Sequence, residues 1–296
     1  MQARPGLPAF DYVRPATREE VVHQLVQNGQ DARLLMGGTD LLVRMRDGLI
    51  APKVLVDVKS VPGMRDVRYD PQTGLTIGAA VTMNQVAHQR YVRKHYPLLA
   101  EAANSVASYQ VRNRATLGGN LSNASPAADT APALLVLEGR IVLFGPDGER
   151  EVAASEFFLG PRKSARRPEE FMTAVRFAVP PAGSKGRYLK LGRNKAGDLA
   201  LVGVAILGFP NAEVPAGYSL RLALSSVAPV PLRVYAAERM LAEQKAGKTA
   251  FPAAAKKAME AAAPIDDVRS SATYRREMVH NLVLRGLEEV WAALGR

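Results

Sequence analysis

The sequence predicts an α+β protein in two parts: mixed helix and strand to about residue 180, then a smaller three-stranded antiparallel sheet with helices. Three observations carry that expectation. Capped helices alternate with short apolar runs as far as residue 179. Pro180-Pro181-Ala182-Gly183-Ser184 then reads as a linker. Beyond it, three strand-like runs follow one another directly before an alanine-rich helical tail. At 296 residues the chain is long enough for two domains with a real core, bounded here as 1–180 and 185–296.

The first helix opens at Thr17-Arg18-Glu19-Glu20, a capping box in which the threonine serves the N3 amide and the glutamate reaches back. Val21, Val22, Leu25 and Val26 give its apolar stripe, and Asn28-Gly29 ends it. The run "RLLM" (33–36) reads as a strand meeting a Gly37-Gly38-Thr39-Asp40 turn and a short helix, and "KVLVDV" (53–58) as a second strand. In "GLTIGAAVTM" (74–83), Leu75, Ile77, Ala79 and Val81 alternate with period two. Thr82 to Gln85 forms a second capping box, and Pro97 opens "PLLAEAANSVAS" at the position where proline suits a helix. Asp129 sits where an N-cap would, before "TAPALLVLE". "RIVLF" and "EREV" flank Gly145-Pro146-Asp147-Gly148, a hairpin signal, and "FMTAVRFAV" (171–179) is a further strand. After the linker, "RYLKL", "LALVGVAILGF" and "YSLRLALSSVAP" are the three strands. In the last helix Val279, Val283, Leu287, Val290 and Leu294 form one stripe.

Composition narrows the chemistry. The apolar share of 47% and charged share of 23% are those of a globular protein. With no cysteine, the chain holds no disulfide, no thiolate-bound iron–sulfur cluster, no cysteine zinc site and no cysteine nucleophile. His23, His88, His95 and His280 are scattered without metal-binding spacing. "MQARPGLPAFDYVRPAT" has no apolar targeting core and no run approaches a membrane span, so a cytoplasmic protein without membrane insertion is expected. The net charge of +11 is concentrated. Residues 162–195 hold ten basic residues (Arg162, Lys163, Arg166, Arg167, Arg176, Lys185, Arg187, Lys190, Arg193, Lys195) against Glu169 and Glu170, or +8. Such a face suits either an anionic partner or plain solvation.

Two turns stand out, "LLMGGTD" (34–40) and "ATLGGN" (115–120), each reached from an apolar segment. Paired glycines allow positive φ and expose consecutive amides, the geometry of an anion-binding nest, although either turn alone reads more readily as a tight turn without a ligand, because Gly-Gly is common. Neither is G-x-G-x-x-G, and neither ends in Lys-Ser/Thr, so the Rossmann and P-loop readings fail. Ser105, Ser108, Ser122 and Ser125 lie near the second turn without a G-x-S-x-G elbow or a triad. Across "RNRATLGGNLSNASPAADTAPAL" (112–134), small residues are so dense that something must approach the backbone closely, either another part of the protein or a ligand.

Together, "LLMGGTDLL" and, about eighty residues later, "RNRATLGGNLSNASPAADTAPALL" resemble the two FAD-binding signatures of the molybdenum hydroxylase flavoprotein subunits. These are the medium subunits of carbon monoxide dehydrogenase-type enzymes, equivalent to the central flavin domain of xanthine dehydrogenases. "YLKLGRNKAGDLALVGVAI" and "LRLALSSVAPVPLRVYAAE" are similar to that family's C-terminal domain, so the resemblance covers nearly the whole chain in order.

The resemblance implies a p-cresol methylhydroxylase-type FAD-binding domain in two lobes, about 1–60 and 61–180, with the dinucleotide between them and residues 185–296 as the C-terminal flavoprotein domain. By the same resemblance, Leu35, Met36, Gly37, Gly38, Thr39 and Asp40 meet the pyrophosphate. Thr116, Gly118, Gly119 and Asn120 form the second loop, and Asp129 contacts the sugar-like chain of the cofactor. Phe171 or Met172 lies against the isoalloxazine, and Lys190 approaches the pyrimidine ring and stabilises reduced, anionic flavin. Each has a plainer alternative: an N-cap for Asp129, core packing for Phe171 and Met172, a surface position for Lys190. The first loop carries no histidine, so non-covalent FAD is implied. Without cysteine, the chain lacks the extra four-iron cluster of hydroxybenzoyl-CoA reductase flavin subunits.

The implied function is electron transfer. A partner molybdenum–pterin subunit oxidises the substrate, electrons pass through the 2Fe–2S clusters of a small partner subunit to FAD in this chain, and an external acceptor takes them. The resemblance implies a heterotrimer, often doubled. No acid–base residue and no metal ligand are expected within the chain, because the flavin does the redox chemistry. Three rivals remain. A stand-alone FAD-dependent oxidoreductase would need acid–base groups of its own, for which the C-terminal region offers no clear candidates. A nucleic-acid-binding protein fits the basic balance but not the 6% aromatic content or the absence of a recognition motif. A flavin-free scaffold subunit would have no use for two glycine loops. The basic window is expected either to flank the FAD phosphates or to dock an acidic partner subunit.

Overall fold

The computed structural model describes residues 6–194, 197–244, 247 and 249–295. The chain begins with β1 (Asp11–Val13), α1 (Arg18–Asn28), β2 (Ala32–Leu35), α2 (Leu41–Arg46) and β3 (Val54–Asp57). All pairings are parallel and β3 is central, in the order β1-β3-β2. Val21, Val22 and Leu25 turn inward to meet Val54 and Val56. The Thr17 hydroxyl accepts the Glu20 amide at 3.2 Å, but the Glu20 carboxylate accepts the amide of Ala16 at 2.7 Å, so it reaches one residue further back than a capping box would. The Gly37-Gly38 turn leaves from the carboxyl end of β2, the end at which open parallel sheets present their ligand sites.

A second unit follows, with β4 (Val67–Asp70), β5 (Gly74–Gly78), α3 (Met83–His88), α4 (Arg90–His95), α5 (Pro97–Ser105), α6 (Tyr109–Arg112), α7 (Leu117–Ser122) and α8 (Thr130–Val136). Next come the hairpin β6 (Arg140–Gly145) and β7 (Gly148–Ala153), α9 (Ala154–Phe157), the small ribbon β8 (Phe158–Gly160) with β9 (Lys163–Ser164), and β10 (Phe171–Phe177). The antiparallel order β4-β5-β10-β6-β7 sets β10 in the middle, where nearly every residue is buried. The Thr82–Gln85 capping box forms in full, and the hairpin closes through Gly148 at φ +91. The edge strand β4 went unseen in the sequence because its four residues alternate in exposure with no wholly buried one.

The remainder is one antiparallel sheet of β11 (Lys185–Leu191), β12 (Val202–Pro210), β13 (Tyr218–Ser225) and β14 (Leu232–Arg233), backed by α10 (Tyr235–Glu243), α11 (Ala250–Ala261) and α12 (Ala272–Ala293). It has four strands where the sequence suggested three. The fourth is two residues long, paired with Ala223 and Leu224, too short to show periodicity. The sheet is buried on both faces. Leu189, Val204 and Ile206 pack on the helices, whereas Tyr188, Ala205, Leu207 and Ala223 join the core of the preceding units. Val279, Val283, Leu287 and Val290 supply the inward stripe of α12, and Leu294 lies just past its end.

Arg275 of α12 is almost wholly buried and is held by Asp267 at 2.7 Å and by the Ser226 carbonyl at 3.0 Å. Desolvation works against the Asp267 charge, but hydrogen bonds from Arg269 and the charges of Arg269 and Arg275 hold its carboxyl well below the usual carboxylate range. The stability this gives is present above the unfolded carboxylate pKa of about 3.9 and is lost as pH falls through the folded value. Asp267→Asn should therefore destabilise the chain by roughly 2 kcal/mol in urea at neutral pH, with the gap to wild type closing in acid. A gap that does not change with pH would contradict this.

Candidate functional site

The first turn rests on the second. A Cβ on Gly37 would lie 2.9 Å from the Arg114 carbonyl carbon, 3.0 Å from the Ala115 Cα, and nearer still to the Arg114 carbonyl oxygen. Thr116 Oγ1 also reaches the buried Met36 Sδ at 3.7 Å. Gly38 takes φ +75, and Leu35, the last residue of β2, accepts the Val58 amide. Among the described residues, the amides of Gly37, Gly38, Thr39 and Asp40 donate to no group of the chain. Four successive free donors at the carboxyl end of a parallel strand make a site for an anion such as a phosphate.

The second turn differs. Its amides are spent inside the protein, Leu117 on the Val81 carbonyl (3.0 Å), Gly118 on Ala79 (2.9 Å), Gly119 on Thr116 Oγ1 (3.1 Å) and Asn120 on the Thr116 carbonyl (3.0 Å). It is therefore not the open nest that its glycines suggested. Gly118 is required by packing, since a Cβ there would lie 2.5 Å from the Ala79 Cβ and 2.8 Å from its oxygen. What the turn can offer is the Asn120 side chain, whose Oδ1 accepts from the Thr130 hydroxyl at 2.7 Å and so fixes the direction of its amide group. The small residues that follow have protein neighbours. The Ala124 carbonyl accepts the Arg162 amide (2.9 Å), and the Pro126 carbonyl accepts the Ser226 amide (2.7 Å).

Asp129 holds the N-cap position of α8 without capping it, because its backbone is helical and its side chain turns toward β11. Tyr188 donates to Oδ1 at 2.8 Å and Lys190 Nζ to Oδ2 at 2.9 Å, while Lys190 also donates to the Ser105 carbonyl at 2.8 Å. Lys190 is thus a partly buried member of an ion pair, not a surface residue. Burial raises the Asp129 pKa above its ordinary value, and Lys190 and Tyr188 offset only part of that rise. The Tyr188 phenol is raised well above its own, by burial first and by Asp129 second. Sequence reasoning missed Tyr188. The one available signal was its place two residues before Lys190, which puts both on one face of a strand.

Phe171 and Met172 are fully buried in β10, Phe171 edge-to-face with Phe144 at 6.2 Å. The next residue, Thr173, accepts the Ala79 amide at 2.9 Å, so both lie behind the second turn within the core. The basic window is not a bare cationic face. Arg167, Arg176, Arg187, Lys190 and Arg193 pair with Asp147, Glu149, Glu151, Glu101, Glu289, Asp129 and Asp198, most of them distant in sequence. Arg166 is bonded to the carbonyls of Arg167, Pro168 and Glu170. Lys195 lies outside the described residues. Among those residues no three His, Asp or Glu side chains gather as metal ligands.

The donors and acceptors fit a flavin dinucleotide: free amides for its phosphates, an oriented amide side chain, and a buried carboxylate with lone pairs to spare for hydroxyls. The pattern of the family described as "FAD binding domain in molybdopterin dehydrogenase" matches residues 8–180, and that of "CO dehydrogenase flavoprotein C-terminal domain" matches residues 187–290. The carbon monoxide dehydrogenase medium chain of Hydrogenophaga pseudoflava is 35% identical over 285 residues, 96% of this chain and 98% of the relative. The xanthine dehydrogenase FAD-binding subunit of Escherichia coli O157:H7 is 29% identical over 286 residues, 96% and 97% of the two chains. Among solved structures, the carbon monoxide dehydrogenase of H. pseudoflava superposes with a TM-score of 0.92 at 36% identity, covering 97% of this chain and 98% of that one. Quinoline 2-oxidoreductase from Pseudomonas putida 86 gives 0.89 at 27% identity, covering 98% and 99%.

Proposed function

The chain belongs to the FAD-binding subunits of the molybdenum hydroxylases, and on that premise we propose that it is the electron-transfer flavoprotein of a multi-subunit oxidoreductase. Bound here, FAD would supply the redox chemistry, electron transfer between 2Fe–2S clusters of a partner and an external acceptor. This chain's residues bind and orient. The amides of Gly37, Gly38, Thr39 and Asp40 hold the pyrophosphate, with Leu35 and Met36 fixing the turn beneath them. Gly118 lets the second turn lie against Ala79, the Thr116 hydroxyl ties down the Gly119 amide, and Asn120, its side chain fixed by Thr130, would be the group this turn offers the cofactor. Asp129 would accept hydroxyls of the sugar-like chain, and Lys190, with one N–H left after Asp129 and the Ser105 carbonyl, would serve the flavin ring. Phe171 and Met172 support the ring side from within the core.

The single observation that carries this reading is the run of free amides at the end of β2, laid against the second turn. Residues 1–180 form the flavin-binding domain, in lobes of about 1–60 and 61–180, and residues 185–296 the C-terminal domain. The partners are a small iron–sulfur subunit and a large molybdopterin subunit, assembled as a dimer of heterotrimers in the cytoplasm. Among the described residues no helix is long and apolar enough to cross a membrane.

Purification of the tagged chain from its native host tests the assignment. The expected material contains one FAD per chain, released intact on denaturation, together with a cysteine-rich chain, a large chain, iron and molybdenum. A complex with partners but no flavin would establish a scaffold instead. A flavin-bearing chain that turns over substrate alone would establish a stand-alone oxidoreductase.

A further inference from the structure

The polar cluster around Asp129 supports an inference that rests on the flavin reading and goes beyond it. We propose that Tyr188, supplied by the C-terminal sheet, is a positioning residue that orients the Asp129 carboxylate for the hydroxyl-bearing chain of the cofactor. Asp129 stands where it would ordinarily cap α8, yet both its oxygens are held by β11. A carboxylate has about four acceptor sites. Tyr188 and Lys190 each fill one, leaving the others for hydroxyl donors.

The two partners are not equivalent. Lys190 divides its ammonium between Asp129 and the Ser105 carbonyl. Tyr188 is 6% exposed, its ring fixed among apolar neighbours of the sheet face, so its hydroxyl acts from a rigid mount. The neighbouring strand makes room for that hydroxyl. A Cβ on Gly203 would lie 2.6 Å from it and would also strike Ser225 Oγ. Three residues before Asp129, the Pro126 carbonyl is held by the amide of Ser226, the residue that follows β13. Residues 126–129 are therefore fixed at one end by β11 and at the other by the turn after β13, which makes the C-terminal domain part of the cofactor site.

The groups that face Asp129 are Tyr188 and Lys190 from β11, with the Ser105 carbonyl at the end of α5 and Ser225 of β13 close by. Of these, the Tyr188 hydroxyl and the Lys190 ammonium both favour the ionised carboxylate. Binding that needs this carboxylate as an acceptor is lost as pH falls through its pKa. Removing the phenol hydroxyl moves that loss to higher pH.

The test is a set of FAD titrations of the full chain from about pH 5 to 8, comparing wild type, Tyr188→Phe, Asp129→Asn and the double variant. Tyr188→Phe should weaken FAD binding about tenfold at neutral pH, the change that one charge-assisted hydrogen bond implies, and raise the acid limit of binding. In the Asp129→Asn background the same substitution should change affinity less than about twofold, because Tyr188 acts through Asp129. That second comparison also serves if Tyr188→Phe alone is too unstable to purify, since the buried charge is then absent. Wild-type affinity and pH profile in Tyr188→Phe, or an undiminished loss in the Asp129→Asn background, overturn the proposal and leave the flavin reading standing. A wild-type chain and complex that take up no FAD would overturn both.

Discussion

Gly37→Ala is expected to destabilise the chain by more than about 3 kcal/mol and to reduce FAD affinity at least about a hundredfold. The new methyl group would meet backbone, the Arg114 carbonyl and the Ala115 Cα, and not the movable tip of a side chain. Backbone there cannot withdraw cheaply, because Ala115 accepts the Met83 amide at 2.8 Å and donates to the Val111 carbonyl at 2.7 Å. Gly38 provides the control. Its φ of +75 penalises any side chain, but a Cβ would meet only the ends of Leu35 and Leu42 at 3.2 Å. Gly38→Ala should therefore cost about 1–2 kcal/mol, the penalty of a left-handed backbone. Urea titrations of the two variants decide the matter, and a Gly38 cost larger than the Gly37 cost would contradict close packing of the two turns.

The second large effect is expected at Lys190. Lys190→Met would leave the Asp129 charge buried with Tyr188 as its remaining side-chain partner, and removing one member of a buried pair costs about 3–5 kcal/mol. The sign of its pH dependence follows from the direction of the shift. Burial already raises the Asp129 pKa, and loss of the ammonium raises it further. The penalty should be full above that raised value and should shrink as pH falls through it and the carboxyl takes up a proton. A penalty equal at all pH would mean that the pair is not what holds β11 to α8.

The local features of this fold were legible because their causes are local. The Thr82 box, Pro97 at the start of α5 and the Gly145–Gly148 hairpin depend on residues within one turn of each other. The two glycine turns were also legible, but the reason for their glycines was not. Gly37 and Gly118 yield to backbone from Arg114 and Ala79, contacts that no spacing announces. The same blindness explains the basic window, whose positive run is matched by acids such as Glu101 and Glu289, brought in by folding. It explains Asp129 as well, which looked like an N-cap until β11 drew its side chain away. β14 escaped notice because two residues cannot display a period of two.

The central claim is that the free amides of Gly37 to Asp40 hold the pyrophosphate of FAD. Calorimetric titration of the desalted chain, or of its complex with partners, with FAD and separately with FMN tests it most directly. The two ligands share the flavin ring and its sugar-like chain and differ in the pyrophosphate and adenosine. The account predicts one-to-one binding with FAD favoured by at least about a hundredfold, and that preference collapsing in Gly37→Ala. Equal affinity for the two flavins, or a preference for FAD that survives Gly37→Ala, would contradict it.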